Sequence, residues 1–270
     1  MKLVIEPGLV AAHYWRDLWR YRELMAFLAW RDLAVRYKQT AIGIAWALIR
    51  PGLTLAVFVA FRRMMGVPRG DVPDVILVLA AVLPWQFFST ALTETATSLI
   101  GNTSLISKVY FPRLIIPVAA VATSFVDFVI TLGMLVVLMA WYRVEPALPL
   151  LALPLFILLA ALLALGLGLL LGALTVTYRD FRYVVPFLVQ LGLFVSPIAF
   201  STSQVPERWR AVYGLNPLVG IIDGFRWSIL GGRTPLEPAS VMTSVALTAA
   251  SLLYGVWYFR RMERGFADVI

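Results

Sequence analysis

Six long apolar stretches constrain the fold of this chain more than any other feature of its sequence. Each is near or above the ~20 residues that a helix needs to cross ~30 Å of hydrocarbon. They cover residues 41–61, 74–93, 114–142, 147–174, 183–201 and 239–259. Short segments with Pro, Gly or Arg separate them, and none shows the alternating pattern of an outer-membrane strand. We therefore predict an all-α integral membrane protein with six transmembrane helices.

The composition excludes most soluble classes of protein. Hydrophobic residues make up 61% of the 270 positions and charged residues only 14%, which is more apolar surface than a soluble core can bury. A net charge of +8 in so apolar a chain is typical of loops that orient a membrane protein, rather than of nucleic-acid binding. With no Cys and a single His, His13, we expect no disulfide, no catalytic thiol and no metal site.

Lys and Arg residues are retained on the cytoplasmic side of a membrane protein and so indicate its orientation. If both termini are cytoplasmic, that side receives fourteen of the 23 Lys and Arg residues and the opposite side eight, with Arg50 left inside a span. We therefore predict both termini in the cytoplasm. The expected division is a cytoplasmic segment over 1–40, a transmembrane domain over 41–260 and a cytoplasmic tail over 261–270.

The first forty residues lack the short apolar core and cleavage site of a secretory signal. Apolar side chains recur there at helical spacing, with charged residues largely on the opposite side. The apolar stripe comprises Tyr14, Leu18, Tyr21, Met25 and Leu28. Because aromatic and Arg side chains suit the headgroup layer, we predict an amphipathic interfacial helix near 14–30. The alternative is an ordinary surface helix packed on a partner.

The segment 202–238 contains an apolar run that is too short to span a membrane and too apolar for a free loop. Gly214, Asn216 with Pro217, Gly220 and Gly224 act there as helix breakers. We predict a re-entrant helical hairpin between the fifth and sixth spans, which serves either as a pore mouth or as a structural cap. The candidate gate residues are Trp209, Tyr213, Asn216, Pro217, Asp223, Phe225, Arg226 and Trp227.

Two ionisable residues, Arg50 and Asp127, fall within predicted spans. Each costs ~2.5 to 3.5 kcal/mol at the centre of a helix by insertion scales. One interpretation is that they face a pathway or pair with each other. The other is that Arg50 reaches the headgroups and Asp127 accepts hydrogen bonds from nearby donors.

The second span carries three aromatic residues, Trp85, Phe87 and Phe88. Their flat faces suit contact with sugar rings in a channel, although packing in the core is the commoner use. In the fourth span, Gly168 and Gly172 with the nearby Gly166 predict close approach of neighbouring helices.

Active transport needs an energy source, and the chain has no Gly-rich phosphate-binding loop that ends in Gly-Lys-Ser/Thr. None of its three lysines, Lys2, Lys38 and Lys108, follows a glycine. If ATP drives this protein, the ATPase is a separate polypeptide, and we expect this chain to bind no cofactor itself.

Four segments at ordered spacing resemble one family. GNTSLISKVYFPRLIIP (101–117) resembles the cytoplasmic signature of the permease subunits that export O-antigen, capsule and teichoic-acid polymers, which are type-two ABC exporters. The other three are RYKQTAIGIAW (36–46) with Arg50-Pro51, YRDFR (178–182) with SPI (196–198), and LNP (215–217) with DGFR (223–226). The resemblance covers about residues 14–260.

The resemblance implies a homodimer of this chain with two copies of a cytoplasmic ABC ATPase, which bind ATP and Mg²⁺, in the bacterial inner membrane. The chain is then a transporter subunit and not an enzyme. Its substrate is a polysaccharide linked to a polyprenyl or other lipid anchor, and membrane lipids surround it. By the same resemblance, the ATPase-coupling segment includes Asn102, Lys108, Tyr110, Phe111, Pro112 and Arg113.

Other classes of protein remain as alternatives. A drug or small-lipid exporter of the same type-two class shares this fold and is the nearest of them. A proton-coupled secondary carrier with Asp127 as its titrating group is less favoured, because no internal repeat relates residues 1–135 to residues 136–270. A membrane-embedded transferase requires several carboxylates or an acidic metal-binding motif, which the predicted cytoplasmic loops do not supply.

Overall fold

A computed structural model describes residues 10–38, 43, 45–66, 72–198, 200 and 202–266, and within this part of the chain there is no strand. The α-helices in chain order are α1 (Val10–Arg20), α2 (Arg22–Lys38), α3 (Ala45–Met64), α4 (Asp74–Gly101), α5 (Thr103–Lys108), α6 (Ile115–Trp141), α7 (Leu153–Thr177), α8 (Phe181–Val195), α9 (Glu207–Tyr213), α10 (Pro217–Ile229) and α11 (Pro238–Met262). Short 3₁₀ turns precede α7 and α9 and follow α11.

Five helices are long and apolar enough to cross a membrane: α3, α4, α6, α7 with its 3₁₀ turn, and α11. The all-α membrane fold is thus confirmed, with five of the predicted spans. The remaining one, 183–201, corresponds to α8, whose 15 residues rise only about 22 Å. Helix α8 ends because Ser196 precedes a proline and takes the extended backbone that this position favours, with φ −96° and ψ 151°. The count of six stays a prediction.

Helix α4 forms the centre of the bundle. It lies against α3, α6, α7, α8 and α10. In its most apolar stretch of 18 residues, 72% of the residues are buried, against 22% to 33% in the corresponding stretches of the four other spans. A helix that is apolar on all faces suits this place, because each face meets protein. It also runs on to Gly101, eight residues beyond the predicted span.

Glycines bring α7 into close contact with α4 and α11. A Cβ atom at Gly168 would lie 2.6 Å from Thr95 Cβ, and one at Gly172 would lie 3.3 Å from the carbonyl oxygen of Thr95. On the other side, a Cβ atom at Gly255 of α11 would lie 2.1 Å from the carbonyl oxygen of Gly166. The predicted packing role of these α7 glycines is confirmed.

The bundle has two ends that differ in structure. The α5 end comprises α1, α2, α5 and the C-termini of α4, α7 and α11; there Tyr14 lies within hydrogen-bond distance of Glu263. The α10 end comprises α9, α10 and the turn between α6 and α7, where a Cβ atom at Gly231 would lie 3.1 Å from Ala147 Cβ.

Two helices, α1 and α2, stand in place of the single helix predicted near 14–30. Main-chain hydrogen bonds continue through Tyr21, which joins them. The apolar stripe lies against the chain's own bundle, since Tyr14 is 5% and Leu28 is 2% exposed. Three aromatic residues face outwards instead, namely Trp15, Trp19 and Trp30. An interfacial position stays a prediction, and the proposed boundary at residue 40 lies outside the described residues.

The segment after α8 contains two short helices, α9 and α10, joined at Gly214–Asn216. Gly220 and Gly224 do not break the helix as predicted, because both lie inside α10. They permit close packing: a Cβ atom at Gly220 would lie 2.5 Å from the carbonyl oxygen of Ser240, and one at Gly224 would lie 2.0 Å from Phe156 Cε1. Re-entry of this segment into a membrane stays a prediction.

Candidate functional site

Residues 102–113, the coupling segment, project at the α5 end of the bundle. Helix α5 is separated from α4 by Asn102, whose φ of −118° interrupts the helical path. Ile106 and Phe111 are buried in the cluster beneath the segment. The exposed residues of the segment are Ser104, Ser107, Lys108, Val109 and Tyr110. The segment thus combines an anchored inner face with an exposed outer face, as a docking element requires.

The far end of the coupling segment is attached to the end of α11. The backbone N–H of Arg113 donates to Glu263 Oε1 at 2.8 Å, and the Arg113 guanidinium donates to the carbonyl oxygen of Glu263. Tyr14 of α1 donates to Glu263 Oε2 at 3.0 Å. Burial raises the pKa of the Glu263 carboxyl above its ordinary value, and the hydrogen bonds from Arg113 and Tyr14 oppose that shift. The Glu263 carboxylate therefore joins α1, the coupling segment and the end of α11.

The near end of the segment is attached to α2. Asn102 Nδ2 donates to the carbonyl oxygen of Ser98 at 2.9 Å, and Asn102 Oδ1 accepts from Arg31 Nη2 at 2.7 Å. Of the six predicted coupling residues, the anchoring ones are Asn102, Phe111, Pro112 and Arg113, and the exposed ones are Lys108 and Tyr110. Their contact with an ATPase stays a prediction.

A polar cavity of about 510 Å³ lies between α2, α3, α4 and α6. Its wall contains four charged side chains, Arg36, Arg50, Glu94 and Asp127. Charged side chains are tolerated inside a membrane bundle where they are paired or line a water-filled cavity. Among the described residues, no cluster of His, Asp and Glu side chains is arranged to hold a metal ion.

Arg36 of α2 pairs with both carboxylates of the cavity. Its guanidinium donates to Glu94 of α4 and to Asp127 of α6, and Tyr37 also donates to Asp127. Of the interpretations left open by the sequence, a pairing of Arg50 with Asp127 is not what the structure shows, although both side chains line the cavity. Within the described part of the chain, the Arg50 side chain forms no ion pair. The interpretation that Asp127 accepts from nearby donors is the one that the structure supports.

The three candidate channel aromatics are buried within this single chain, at 3% to 5% exposure. Trp85 lies over α8, where a Cβ atom at Gly192 would be 2.7 Å from Trp85 Cη2. Phe87 lines the cavity, and its ring centroid lies 4.9 Å from that of Phe128. Because Trp85, Phe87 and Phe88 are all buried, packing within the bundle explains their presence. Contact with a sugar stays a prediction.

A buried arginine fixes α10 at the other end of the bundle. Arg226 is 2% exposed, and Asp223, one turn earlier, lies 3.6 Å from it. The Arg226 guanidinium donates at 2.9 to 3.2 Å to three backbone carbonyl oxygens, those of Leu77, Ile198 and Phe200. A buried guanidinium needs such partners, and here they join α10 to α4 and to the turn after α8.

The predicted gate residues divide into a fixed and an exposed group. Asn216 caps α10, because its Oδ1 accepts from the N–H of Leu218 at 3.0 Å, and Pro217 is the first residue of that helix. The buried residues of the set are Asp223, Phe225 and Arg226, and the partly or fully exposed ones are Trp209, Tyr213 and Trp227. Their role as a gate stays a prediction.

Sequence reasoning missed Glu94 and Glu263. The predicted second span ends at residue 93 and so excludes Glu94, whereas α4 continues to Gly101. The helix tolerates polar residues there because their hydroxyls bond back to it, as Thr97 Oγ1 does to the carbonyl oxygen of Thr93 at 2.9 Å. These hydroxyl residues are compatible with the helix but do not by themselves predict that it continues, and Glu263 has no local signal either.

Comparisons with known proteins agree with this architecture. The family model described as ABC-2 type transporter matches residues 23–230. The chain is 29% identical over 259 residues to the O-antigen export system permease protein RfbA of Myxococcus xanthus, covering 94% of this chain and 98% of that protein. It is 25% identical over 252 residues to RfbA of Klebsiella pneumoniae, covering 92% and 95%. It is also 25% identical over 238 residues to the polysialic acid transport protein KpsM of Escherichia coli, covering 86% and 91%.

The residues matched by the family model include the coupling segment, the polar cavity and all of α10. The match thus includes four of the five spanning helices that the structure describes, and it leaves out α1 and α11. The chain therefore belongs to the ABC-2 type transporter family.

Proposed function

We propose that this chain is the channel-forming membrane subunit of an ATP-driven exporter that moves a lipid-linked polysaccharide, such as an O-antigen, across the bacterial inner membrane. Membership of the ABC-2 family supports a transporter. Relatives named for O-antigen export and polysialic acid transport support a polysaccharide substrate. The chain acts as a homodimer with two ABC ATPase subunits, and both of its termini face the cytoplasm.

The main observation in support of this proposal is that the coupling segment is exposed on one side and anchored at both ends. A part that receives a displacement from a docked ATPase has to be exposed on one side and firmly attached on the other. Lys108 and Tyr110 supply the exposed side, and Asn102 and Arg113 are held by hydrogen bonds at the two ends. Because closely packed elements move as units, displacement of the segment shifts α2 and α11 with it.

Helix α2 extends this connection into the bundle. Arg36, near its C-terminus, lies between Glu94 of α4 and Asp127 of α6. A movement of α2 therefore acts on both of these spanning helices. In this proposal, ATP binding to the partner subunits shifts the population between closed and open states of the channel through this route.

The surroundings of Asp127 argue against a proton-coupled carrier. A carboxylate that carries protons has to meet water in at least one state of the transport cycle. Asp127 lines the polar cavity, but its carboxylate is held by both Arg36 and Tyr37, so a proton has to displace these contacts to bind it.

The decisive experiment is reconstitution of this chain with its candidate ATPase in sealed vesicles that contain lipid-linked polymer. We expect transfer of the polymer only when both subunits and ATP are present. Transfer by this chain alone under a proton gradient would overturn the proposal in favour of a carrier. ATP-dependent transfer of small lipids but not of polymer would overturn the assignment of the substrate.

A matched pair of variants tests the docking face separately. Tyr110→Ala removes an exposed aromatic side chain from the coupling segment, and Trp141→Ala removes one from the other end of α6. We expect co-purification with the ATPase to fall for Tyr110→Ala and to stay unchanged for Trp141→Ala. Equal retention of the ATPase by both variants would contradict docking at this face.

A further inference from the structure

A second groove, of about 560 Å³, opens on the outer surface at the α5 end of the bundle, away from the polar cavity. Apolar and aromatic side chains of α1 and α11 form its walls, and two arginines lie at one end. The residues that matter here are Trp15, Leu253, Val256, Trp257, Arg260 and Arg261. The walls are accessible, since Leu253 is 73% and Trp257 is 53% exposed.

Aromatic rings hold both arginines in place at the groove. The guanidinium carbon of Arg260 lies 4.5 Å from the ring centroid of Tyr14 and 6.0 Å from that of Trp15. The guanidinium carbon of Arg261 lies 5.6 Å from the ring centroid of Trp257. Cation–π contacts of this kind orient a guanidinium without using its N–H donors.

Those donors have no acceptor in the part of the chain that the structure describes: neither Arg260 nor Arg261 forms an ion pair or a hydrogen bond there. The carboxylate next along the chain, Glu263, is already engaged by Tyr14 and by the backbone N–H of Arg113. Two consecutive arginines at the groove thus keep their N–H donors available to a ligand, and Glu263 interacts with the charge of Arg260 only at a distance.

The position of the groove defines the ligand further. Helix α11 is one of the membrane-spanning helices, and from Leu253 to Arg261 it rises about 12 Å. The groove therefore passes from apolar walls to cationic groups where the span ends, which is the level of lipid headgroups. A free phosphate ion would leave the apolar walls uncovered, and an acyl chain alone would leave the arginines without an anion.

We propose that this groove binds an anionic phospholipid, with an acyl chain along Leu253, Val256 and Trp257 and the phosphate between Arg260 and Arg261. The headgroup has to be anionic, because the ammonium group of a zwitterionic lipid would be repelled by the two arginines. The site does not depend on the nature of the exported substrate.

Native mass spectrometry of the purified full-length chain, titrated in detergent with phosphatidylglycerol or with phosphatidylcholine of the same acyl chains, tests the proposal. We expect the first phosphatidylglycerol to bind roughly tenfold more tightly than phosphatidylcholine, because each arginine near a lipid surface adds a several-fold preference for anionic lipid. Equal binding of the two lipids by the unmodified chain overturns the proposal.

Two variants and a matched control locate the site. Arg260→Gln with Arg261→Gln should remove the preference, whereas Arg260→Lys with Arg261→Lys should retain most of it. The control, Arg179→Gln with Arg182→Gln, removes the same charge from two exposed arginines at the N-terminal end of α8 and should leave the preference intact. Equal loss in the control shows an effect of bulk charge and overturns the proposal.

A third variant keeps both arginines and fills the groove. Val256→Trp places a large side chain between the apolar walls and should weaken phosphatidylglycerol binding without any change of charge. Thermal unfolding and gel filtration of each variant establish that it is folded. Unchanged lipid binding by folded Val256→Trp contradicts the proposed acyl-chain position.

Discussion

The backbone N–H of Arg113 lies 2.8 Å from Oε1 of Glu263, although 150 residues separate the two along the chain. This hydrogen bond ties the end of the coupling segment to the end of α11. Tyr14 brings α1 to the other oxygen of the same carboxylate. Movement of the coupling segment therefore either carries α1 and α11 along or breaks this contact.

Glu263→Ala should destabilise the protein, because it leaves the Arg113 N–H and the Tyr14 hydroxyl without their acceptor. Hydrogen bonds to charged groups contribute about 1.5 to 3 kcal/mol each. We expect a clear fall in the thermal midpoint in detergent, measured beside Glu207→Ala, which removes an exposed carboxylate. Equal midpoints for the two variants would contradict the role of Glu263.

The same carboxyl predicts a dependence of stability on pH. Burial raises the pKa of Glu263 in the folded protein, so the folded state binds this proton more tightly than the unfolded state. The resulting stability is present at low pH and is lost as the pH rises through the raised pKa. The thermal midpoint of the unmodified protein, relative to Glu263→Gln, should therefore increase as the pH falls from 7 towards 4; parallel curves would exclude this effect.

Arg36→Gln should leave Glu94 and Asp127 without their shared cation. Removing one partner of a buried pair costs about 3 to 5 kcal/mol, and the partial exposure of these side chains places the expected loss at the low end. Combining it with Glu94→Gln and Asp127→Asn should recover most of the folded yield. Arg50→Gln is the control and should cost less. If the folded yield of the triple variant is no higher than that of Arg36→Gln, the charges of the cavity are not paired in this way.

Arg226→Lys should destabilise the α10 end despite keeping the charge. A single ammonium group cannot reproduce the fork that serves three carbonyl oxygens, and each buried acceptor left unpaired costs about 1 to 3 kcal/mol. The control is Arg233→Lys, an exposed position after α10. Thermal unfolding should separate the two variants; the same midpoint for both would show that the buried hydrogen bonds do not stabilise α10.

Gly255→Ala should loosen the contact between α7 and α11, because the new methyl group would lie 2.1 Å from the carbonyl oxygen of Gly166. Gly133→Ala on α6 meets no heavy atom within 4 Å. It should be neutral or stabilising, since alanine is favoured over glycine in a helix by about 1 kcal/mol. Folded yield and thermal midpoint compare the two; a tolerant Gly255→Ala would contradict the close packing.

The sequence by itself determined the membrane class and five of the spans. The length of an apolar stretch is a local property, and it sets whether a helix can cross a bilayer. The apolar run near 215–225 was also recognisable from local pattern, whereas the coupling segment was predicted only from its resemblance to a family signature. Even the end of α8 follows from the Ser196-Pro197 pair, although its consequence for the length of that helix was missed.

Only the tertiary structure decided which charges meet. Asp127 lies against Arg36 of α2 and not against Arg50, because the path of α2 across α6 sets that contact and no local pattern encodes it. Likewise Gly224 looks like a helix breaker in sequence, yet it lies within α10 and gives room to Phe156. Both outcomes depend on how close two helices come, and that distance is set by the packing of the whole bundle.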